Sequence, residues 1–208
     1  MDQHERRSVP RDVADDPGAV GGPGGVGAVE AGQRRSDGQQ THEAILDTAM
    51  RLASIEGIEG LSFGRLAREL GITKSGVFAH FRDEQHLQRE TIRAALDVFE
   101  REVVSRGVAA PPGRARLEAL CEAYLSYIER EVLPGGCFLA QPLADYDARR
   151  GPIHDELADG QRGWLRLLTD QATTAPDRAE LDAAIDPAQL AFELYAHRTR
   201  QLPLRAVP

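Results

Sequence analysis

The chain has 208 residues, of which 41% are hydrophobic and 28% charged, a composition that fits one compact domain or two small ones. Aromatic residues make up only 5% of the chain, and strand-like runs of alternating Val, Ile and Thr are absent, so we expect an all-α protein. The formal net charge of -8 excludes a protein that coats nucleic acid through a global positive field. Any DNA contact must therefore be local.

Several functional classes are excluded by missing patterns. The sequence has no stretch of about 18 apolar residues, as a membrane span needs. Met1–Pro10 is polar where a secretory signal needs apolar residues, so we expect a cytoplasmic protein with no membrane partner. Two cysteines are too few for a disulfide framework or a Cys-x2-Cys zinc site. Metalloprotease, nucleophile-elbow and phosphate-loop motifs are also absent, so we expect no metal, no cofactor, no catalytic residue and no enzyme activity.

Residues 1–40 are rich in glycine and proline, with valine as almost their only large apolar residue. Such a segment cannot bury enough surface to order itself, which predicts a disordered tail. The alternative is an arm whose Arg34 and Arg35 dock onto phosphates. From Thr41, a predicted N-cap, apolar residues recur at helical spacing to about Gly57 and predict the first helix.

Three further helices are predicted in close succession. Ser62 is a predicted N-cap of a short second helix, and Gly71 follows where a helix end needs a left-handed residue. Thr73 is predicted to cap a third helix, and Asp83 a long fourth one that ends before Gly107. The inward side of the third helix is predicted to carry Val77, Phe78 and Phe81. A helix, a glycine turn and a second helix form a geometry that can bind DNA.

The second half of the chain predicts more helices. A fifth helix is indicated by apolar spacing over Leu117–Ile128 and is ended by Pro134. A shorter helical stretch is predicted over Phe138–Tyr146. Gly151 and the proline after it open another helix, and Asp186 is the predicted N-cap of the last one.

The run Leu61–Phe81 resembles the helix-turn-helix of the TetR family of bacterial transcriptional regulators. The match includes the serine that starts the second helix, the Leu-Gly-Ile-Thr-Lys-Ser-Gly turn and the His-Phe ending. With the neighbouring helices it extends over roughly residues 41–90. The resemblance implies a three-helix DNA-binding domain at residues 41–88 and a helical ligand-binding and dimerisation domain at residues 89–208.

The positive charge of the matched segment is concentrated. Between Arg65 and Arg82 there are four basic residues and a single acid, Glu69, although the whole chain is acidic. Small residues on the outer side of the third helix permit close approach to base edges. The resemblance further implies phosphate contacts for Lys74 and for other residues of the motif. The predicted DNA-binding residues are Ser62, Arg65, Thr73, Lys74, Ser75, Gly76, Phe78 and His80.

Two residues depart from the pattern of the family. Phe78 stands where the family often has tyrosine, and Glu84 stands where it often has lysine. Each departure removes a phosphate contact, so we expect operator affinity to depend less steeply on salt than in a typical relative.

The C-terminal helices, by the same resemblance, form a dimer and hold an inducer pocket. The predicted pocket residues are Tyr124, Cys137, Phe138 and Tyr146. Cys137 has no neighbouring Lys or Arg, which favours a small apolar side chain over the alternative, a redox-sensing thiol. A second set is predicted to lie between subunits or, alternatively, in the core beneath. Its members are Trp164, Leu165, Leu168, Leu190 and Leu194.

The resemblance implies a sequence-specific regulator, a repressor that a small-molecule inducer releases from a palindromic operator on double-stranded DNA. A homodimer is expected because one recognition helix reads only a few base pairs, whereas two can read half-sites about 34–36 Å apart. The alternative is a helical interaction protein that has lost operator binding. That alternative is favoured by Phe78, by Glu84, by the negative net charge of the whole chain and by the short stretch after the last predicted helix.

Overall fold

The computed structural model describes residues 26–137, 151–177, 181–182 and 184–199, with side chains described from Asp37 to Ala196 within those ranges. These residues form helices and turns without a strand, which confirms the all-α fold class. The helices are α1 (Val26–Glu56), α2 (Phe63–Leu70), α3 (Lys74–Phe78), α4 (Glu84–Phe99), α5 (Arg114–Glu129), α6 (Pro152–Asp177) and α7 (Pro187–Thr199). Among them, no helix is both long and apolar enough to cross a membrane. The short helix predicted over Phe138–Tyr146 lies outside the described residues.

The start of α1 differs from the prediction. The helix begins at Val26, well before the predicted N-cap Thr41, which therefore lies inside the helix. Residues 28–40 include Ala, Glu, Gln and Arg, which favour helix, and these offset the cost of about 1 kcal/mol for each interior glycine such as Gly32. The predicted tail is thus helical from Val26, while residues 1–25 lie outside the described residues.

The chain divides into two units, residues 1–38 and residues 39–208. In the second unit, one hydrophobic cluster includes buried residues from each of the helices α1 to α7. Four aromatic rings form its centre, and Phe99 of α4 meets Trp164 of α6 edge-on at a centroid distance of 5.2 Å. The other two rings are Tyr124 and Tyr127 of α5. This cluster joins the helices of both predicted domains.

Helix α4 continues directly into an irregular turn. The helix runs through a π-helical segment, Glu100–Val104, into a last helical turn, Ser105–Gly107. Glu102 fixes this segment, because its carboxylate accepts a hydrogen bond from Arg130 at 2.8 Å and pairs with Arg106 at 2.9 Å. The hydrogen bond from Arg130 is the main reason why the pKa of Glu102 is lowered. The π-helical turn is therefore tied to the end of α5.

The last helix starts as the sequence predicts. The Oδ1 atom of Asp186 accepts hydrogen bonds from the backbone N–H groups of Ala188 and Gln189 at 2.8 and 3.0 Å. These bonds satisfy amides that have no partner inside the helix. Asp186 is therefore the confirmed N-cap of α7.

The helical turn Ser105–Gly107 packs closely on α5, which can be tested at Gly107. A Cβ atom on Gly107 would lie 2.6 Å from Cγ and 2.7 Å from Cα of Leu120. We expect Gly107→Ala to destabilise the protein by about 1–3 kcal/mol through overpacking, measured by denaturant unfolding. The matched control is Gly163→Ala in α6, where an added Cβ meets nothing within 4 Å. Equal unfolding free energies for the two variants would contradict this packing.

Candidate nucleic-acid interface

Helix α2 is held at both ends by the residues that the sequence singles out. At its start, Oγ of Ser62 accepts a hydrogen bond from the backbone N–H of Arg65 at 3.2 Å. At its end, Gly71 adopts a left-handed conformation with φ of 66°, which costs a residue with a Cβ atom more than glycine. Both predicted roles are confirmed. Together they produce the tight turn that leads into α3.

Helix α3 is a single short helix with one buried and one exposed side. Thr73 caps it as predicted, because its Oγ1 accepts a hydrogen bond from the N–H of Gly76 at 3.1 Å. Val77 is completely buried and faces the core. The outer side presents the exposed residues Thr73, Lys74 and Ser75. All but Lys74 are small, so the backbone of α3 can come close to another surface.

The prediction that Phe78 lies on the inward side is wrong. Its side chain is 59% exposed, whereas Val77 and Phe81 are buried. The reason is geometric, because residues four apart share one face of a helix while the next residue is rotated by about 100°. The ring of Phe78 meets Phe63 edge-on at a centroid distance of 5.7 Å. Phe78 therefore lies on the same side of α3 as Lys74.

The cations near α3 differ in whether a carboxylate already pairs with them. Arg65 pairs with Glu56 at 2.8 Å and with Glu69 at 3.6 Å. For the exposed Lys74 and Arg68, by contrast, no ion-pair partner occurs within the described ranges. Lys74 and Arg68 are thus the unneutralised cations of the motif, and Arg65 is largely engaged within the chain.

His80 follows α3 and lies half-buried beside a second histidine. Its ring centroid is 5.8 Å from that of His42, on α1. Burial is the main cause that lowers the pKa of His80, and the positive charge of a protonated His42 lowers it further. The local sequence carries no signal for this pairing, because the two residues come from separate helices.

The start of α4 is bound to the start of α2. Asp83 caps α4 as predicted, with Oδ1 accepting from the N–H of His86 at 2.7 Å. The next residue, Glu84, reaches back to α2, where its Oε1 accepts a hydrogen bond from the N–H of Phe63 at 3.2 Å. Sequence reasoning treats Glu84 only as the absence of a phosphate-binding lysine and misses this bond.

The predicted pocket residues are only partly within the described structure. Tyr124 and Cys137 are each 3% exposed, whereas Phe138 and Tyr146 lie outside the described residues. Tyr124 stacks near Trp164 at a centroid distance of 6.2 Å. Burial first, and the nearby Cys137 second, raise the pKa of Tyr195 on α7. The structure thus places the two described pocket residues beside aromatic residues of α6 and α7.

The five predicted interface residues divide by burial. Trp164 and Leu168 are 7% and 1% exposed within a single chain. These two residues therefore lie in the core, which is the alternative position that the sequence left open. Leu165, Leu190 and Leu194 are half-buried. Two large apolar residues that sequence reasoning did not select are more exposed, namely Ile185 at 39% and Phe192 at 56%. Leu190 and Leu194 pack against the hydrophobic core, so the exposed apolar side chains in and just before α7 are Phe192 and Ile185.

No cluster of potential metal ligands accompanies these residues. Where the structure describes side chains, no group of three or more His, Cys, Asp or Glu is arranged so that it could hold a metal ion.

Two family models match the chain. The model for bacterial regulatory proteins of the tetR family matches residues 45–91, and the model for the tetracyclin repressor-like C-terminal domain matches residues 113–200. The first match contains α2, α3 and the turn between them. The second contains α5, α6 and α7.

Similar proteins include an HTH-type transcriptional regulator of Staphylococcus aureus, 35% identical over 65 residues. That match covers 31% of this chain and 35% of the relative, so it spans about a third of the relative's length. The similarity to this regulator is therefore local.

Solved structures show the same fold. AibR, in complex with isovaleryl coenzyme A and operator DNA, has a TM-score of 0.67 and 22% identity over 78% of this chain and 86% of that chain. A TetR regulator from Chloroflexus aurantiacus has a TM-score of 0.69 and 21% identity over 81% of this chain and 85% of that chain. The family models, the helix-turn-helix geometry and these folds agree, and the chain belongs to the TetR family of transcriptional regulators.

Proposed function

We propose that this protein is a repressor that binds a palindromic operator as a homodimer and leaves it when a small apolar molecule binds its C-terminal helices. The outer side of α3 is the observation that carries the DNA-binding part. It presents Thr73, Lys74 and Ser75 to solvent, with no bulky residue ahead of the exposed Phe78. A regulator of this kind acts in the cytoplasm, where its operator lies.

The roles of the outer residues follow from their chemistry. The hydroxyls of Thr73 and Ser75 lie 3.0 Å apart, and either can turn toward a base edge in the major groove. Lys74 supplies the positive charge for a phosphate, and Ser62 places the first amides of α2 where that helix crosses the DNA backbone. Phe78 contributes an apolar ring that can pack on a thymine methyl group or a sugar.

The alternative of an interaction protein without operator binding is not favoured. The helix-turn-helix part of the chain matches the family model, and the motif retains its caps and its left-handed glycine. An abandoned DNA surface would have no need of Lys74 and Arg68, two exposed cations for which the described part of the chain contains no ion-pair partner.

The surface around Phe192 supports the dimer. Phe192 lies on α7 and Ile185 just before it, and both are exposed apolar residues that a partner would cover. The half-buried Leu190 and Leu194 of the same helix pack against the hydrophobic core, so Phe192 and Ile185 carry the proposed contact. Aromatic residues at the centre of such a surface contribute most to association.

The aromatic cluster supports a ligand site in the C-terminal helices. Phe99, Tyr124 and Trp164 come from α4, α5 and α6 and meet within 6.2 Å. A small apolar molecule that binds beside them would change the packing of α4, the helix that begins next to the recognition motif. AibR, a protein of the same fold, was solved with isovaleryl coenzyme A and operator DNA.

Two contacts can transmit such a change. Arg89 and Arg93 of α4 donate hydrogen bonds to Oε1 of Glu156 on α6, at 2.6 and 3.0 Å for their closest nitrogen atoms. The backbone N–H of Gly135, in the turn after α5, donates to Oγ of Ser54 on α1 at 3.1 Å. A ligand acts through them only if it binds the state without DNA more tightly, typically by about 1–3 kcal/mol.

The first test selects bound duplexes from a random DNA pool with the full-length protein and sequences them. We expect a palindrome. On that duplex, Lys74→Ala should weaken binding and make its salt slope shallower by about 0.9 for each phosphate that is no longer neutralised. Arg166→Ala is the control, because it removes an equal charge from an exposed position on α6. Enrichment of no sequence by folded protein would sink the proposed function.

A pH titration tests the role of His80. Its pKa in the free protein is lowered by burial and by His42, whereas a nearby phosphate favours the charged imidazole. The pKa should therefore rise on binding, so that operator affinity increases as pH falls from 8 to 6, by at most about tenfold per pH unit for each histidine. His80→Gln should flatten this dependence in fluorescence anisotropy. The same pH profile in the variant and the wild type would refute the contact.

The proposed dimer contact is tested at Phe192 on α7. Phe192→Glu places a charge where we expect an aromatic anchor, so the dimer dissociation constant should rise at least about tenfold in sedimentation equilibrium. Ile55→Glu, at a residue on α1 that is 61% exposed, makes the same change away from α7 and should leave the constant unaltered. If both variants behave alike, the α7 surface is not the interface.

A further inference from the structure

Glu84 holds an unusual position in the helix-turn-helix region. It is the exposed first residue of α4, yet its Oε1 accepts a hydrogen bond from the backbone N–H of Phe63, the first residue of α2, at 3.2 Å. Within the described ranges no Lys, Arg or His pairs with this carboxylate. The chain therefore keeps an unneutralised negative charge against the first turn of α2.

This charge stands where DNA phosphates approach in a helix-turn-helix protein. The first helix of the motif crosses the DNA backbone, and its N-terminal amides attract anions. Two of the first amides of α2 are already used inside the chain, one by Glu84 and one by Ser62. The carboxylate of Glu84 therefore occupies an amide to which a phosphate could otherwise bind.

The neighbouring residues do not offset the charge. Phe63 contacts Phe78, whose exposed ring carries no hydrogen-bond donor. Arg65, further along α2, is paired with Glu56 at 2.8 Å. The cations of the motif that have no ion-pair partner in the described structure, Lys74 and Arg68, lie on α3 and at the other end of α2. The surface around the start of α2 is thus neutral to negative.

We propose that Glu84 limits operator affinity: its carboxylate, held by the N–H of Phe63, competes with an operator phosphate at the start of α2. This inference rests on the proposed operator binding and adds to it a residue that weakens the complex. It goes beyond the absence of a cation, because the carboxylate both repels the phosphate and occupies an amide that could bind it. The charge also makes binding less dependent on salt, since fewer phosphates are neutralised.

The test compares Glu84→Gln and Glu84→Lys with the wild type on the duplex that the wild type selects. The glutamine keeps an oxygen that can accept the hydrogen bond from Phe63, so it removes the charge while retaining the link. We expect its affinity to rise about tenfold for the dimer, from one charge–phosphate repulsion at ~6 Å removed in each subunit. Glu84→Lys should bind more tightly still and steepen the salt slope by about 0.9 for each additional phosphate that it neutralises.

Glu122→Gln and Glu122→Lys are matched controls, because they make the same charge changes at an exposed position of α5. Thermal unfolding shows whether each variant is folded. If Glu84→Lys does not fold, the comparison rests on Glu84→Gln alone. Equal affinities and salt slopes for the Glu84 and Glu122 variants would overturn the proposal while operator binding stands. Failure of the wild type and both Glu84 variants to select any duplex would overturn both, whereas binding by Glu84→Lys alone would support the competition.

Discussion

The exposed outer side of α3 depends on the burial of Val77 and Phe81. Helix α3 has only five residues, and a helix of that length is not stable by itself in water. The burial of two apolar side chains holds it in place, since Val77 and Phe81 are 0% and 1% exposed. The ring of Phe81 is in turn enclosed by His42 of α1, at a centroid distance of 4.9 Å, and by His86 of α4, at 6.0 Å. Residues of α1 and α4 therefore meet on the ring that follows α3, and the outward direction of Lys74 and Phe78 follows from this anchoring.

The same arrangement explains how the C-terminal helices can affect α3. The predicted domain boundary after residue 88 falls inside α4, which contacts Phe81 through His86 at one end and the aromatic cluster through Phe99 at the other. Between these points, Arg89 and Arg93 bind Glu156 of α6. In the proposed function, a ligand that shifts Phe99 would therefore act on the motif through α4 itself, without an intermediate element.

Local signals predict much of this fold. The N-caps Ser62, Thr73, Asp83 and Asp186 and the left-handed Gly71 each act on residues within four positions, so their roles can be read from the sequence. The same reasoning misplaced two features. The start of α1 was wrong because helix formers outweigh scattered glycines, and the face of Phe78 was wrong because apolar character alone does not define direction in so short a helix.

The features that sequence reasoning missed depend on contacts between distant residues. The bond from Phe63 to Glu84 and the pairing of His42 with His80 join separate helices. No periodicity or motif within one helix carries such information. The exposed Phe192 was missed for a related reason, because only the packing of α6 on α7 decides which apolar residues of α7 stay outside.

Charge connects the proposed affinity of the site with its proposed regulation. A ligand can release a repressor only by its coupling free energy, typically about 1–3 kcal/mol or roughly 5–150-fold in affinity. Each phosphate contact adds to operator affinity and to its dependence on salt. In the proposed complex, three features reduce the number of such contacts: the pairing of Arg65 with Glu56, the lack of a hydroxyl on Phe78 and the carboxylate of Glu84. Under the proposed function these features weaken the complex that an inducer has to dissociate, so a given coupling free energy leaves a smaller fraction of the operator occupied.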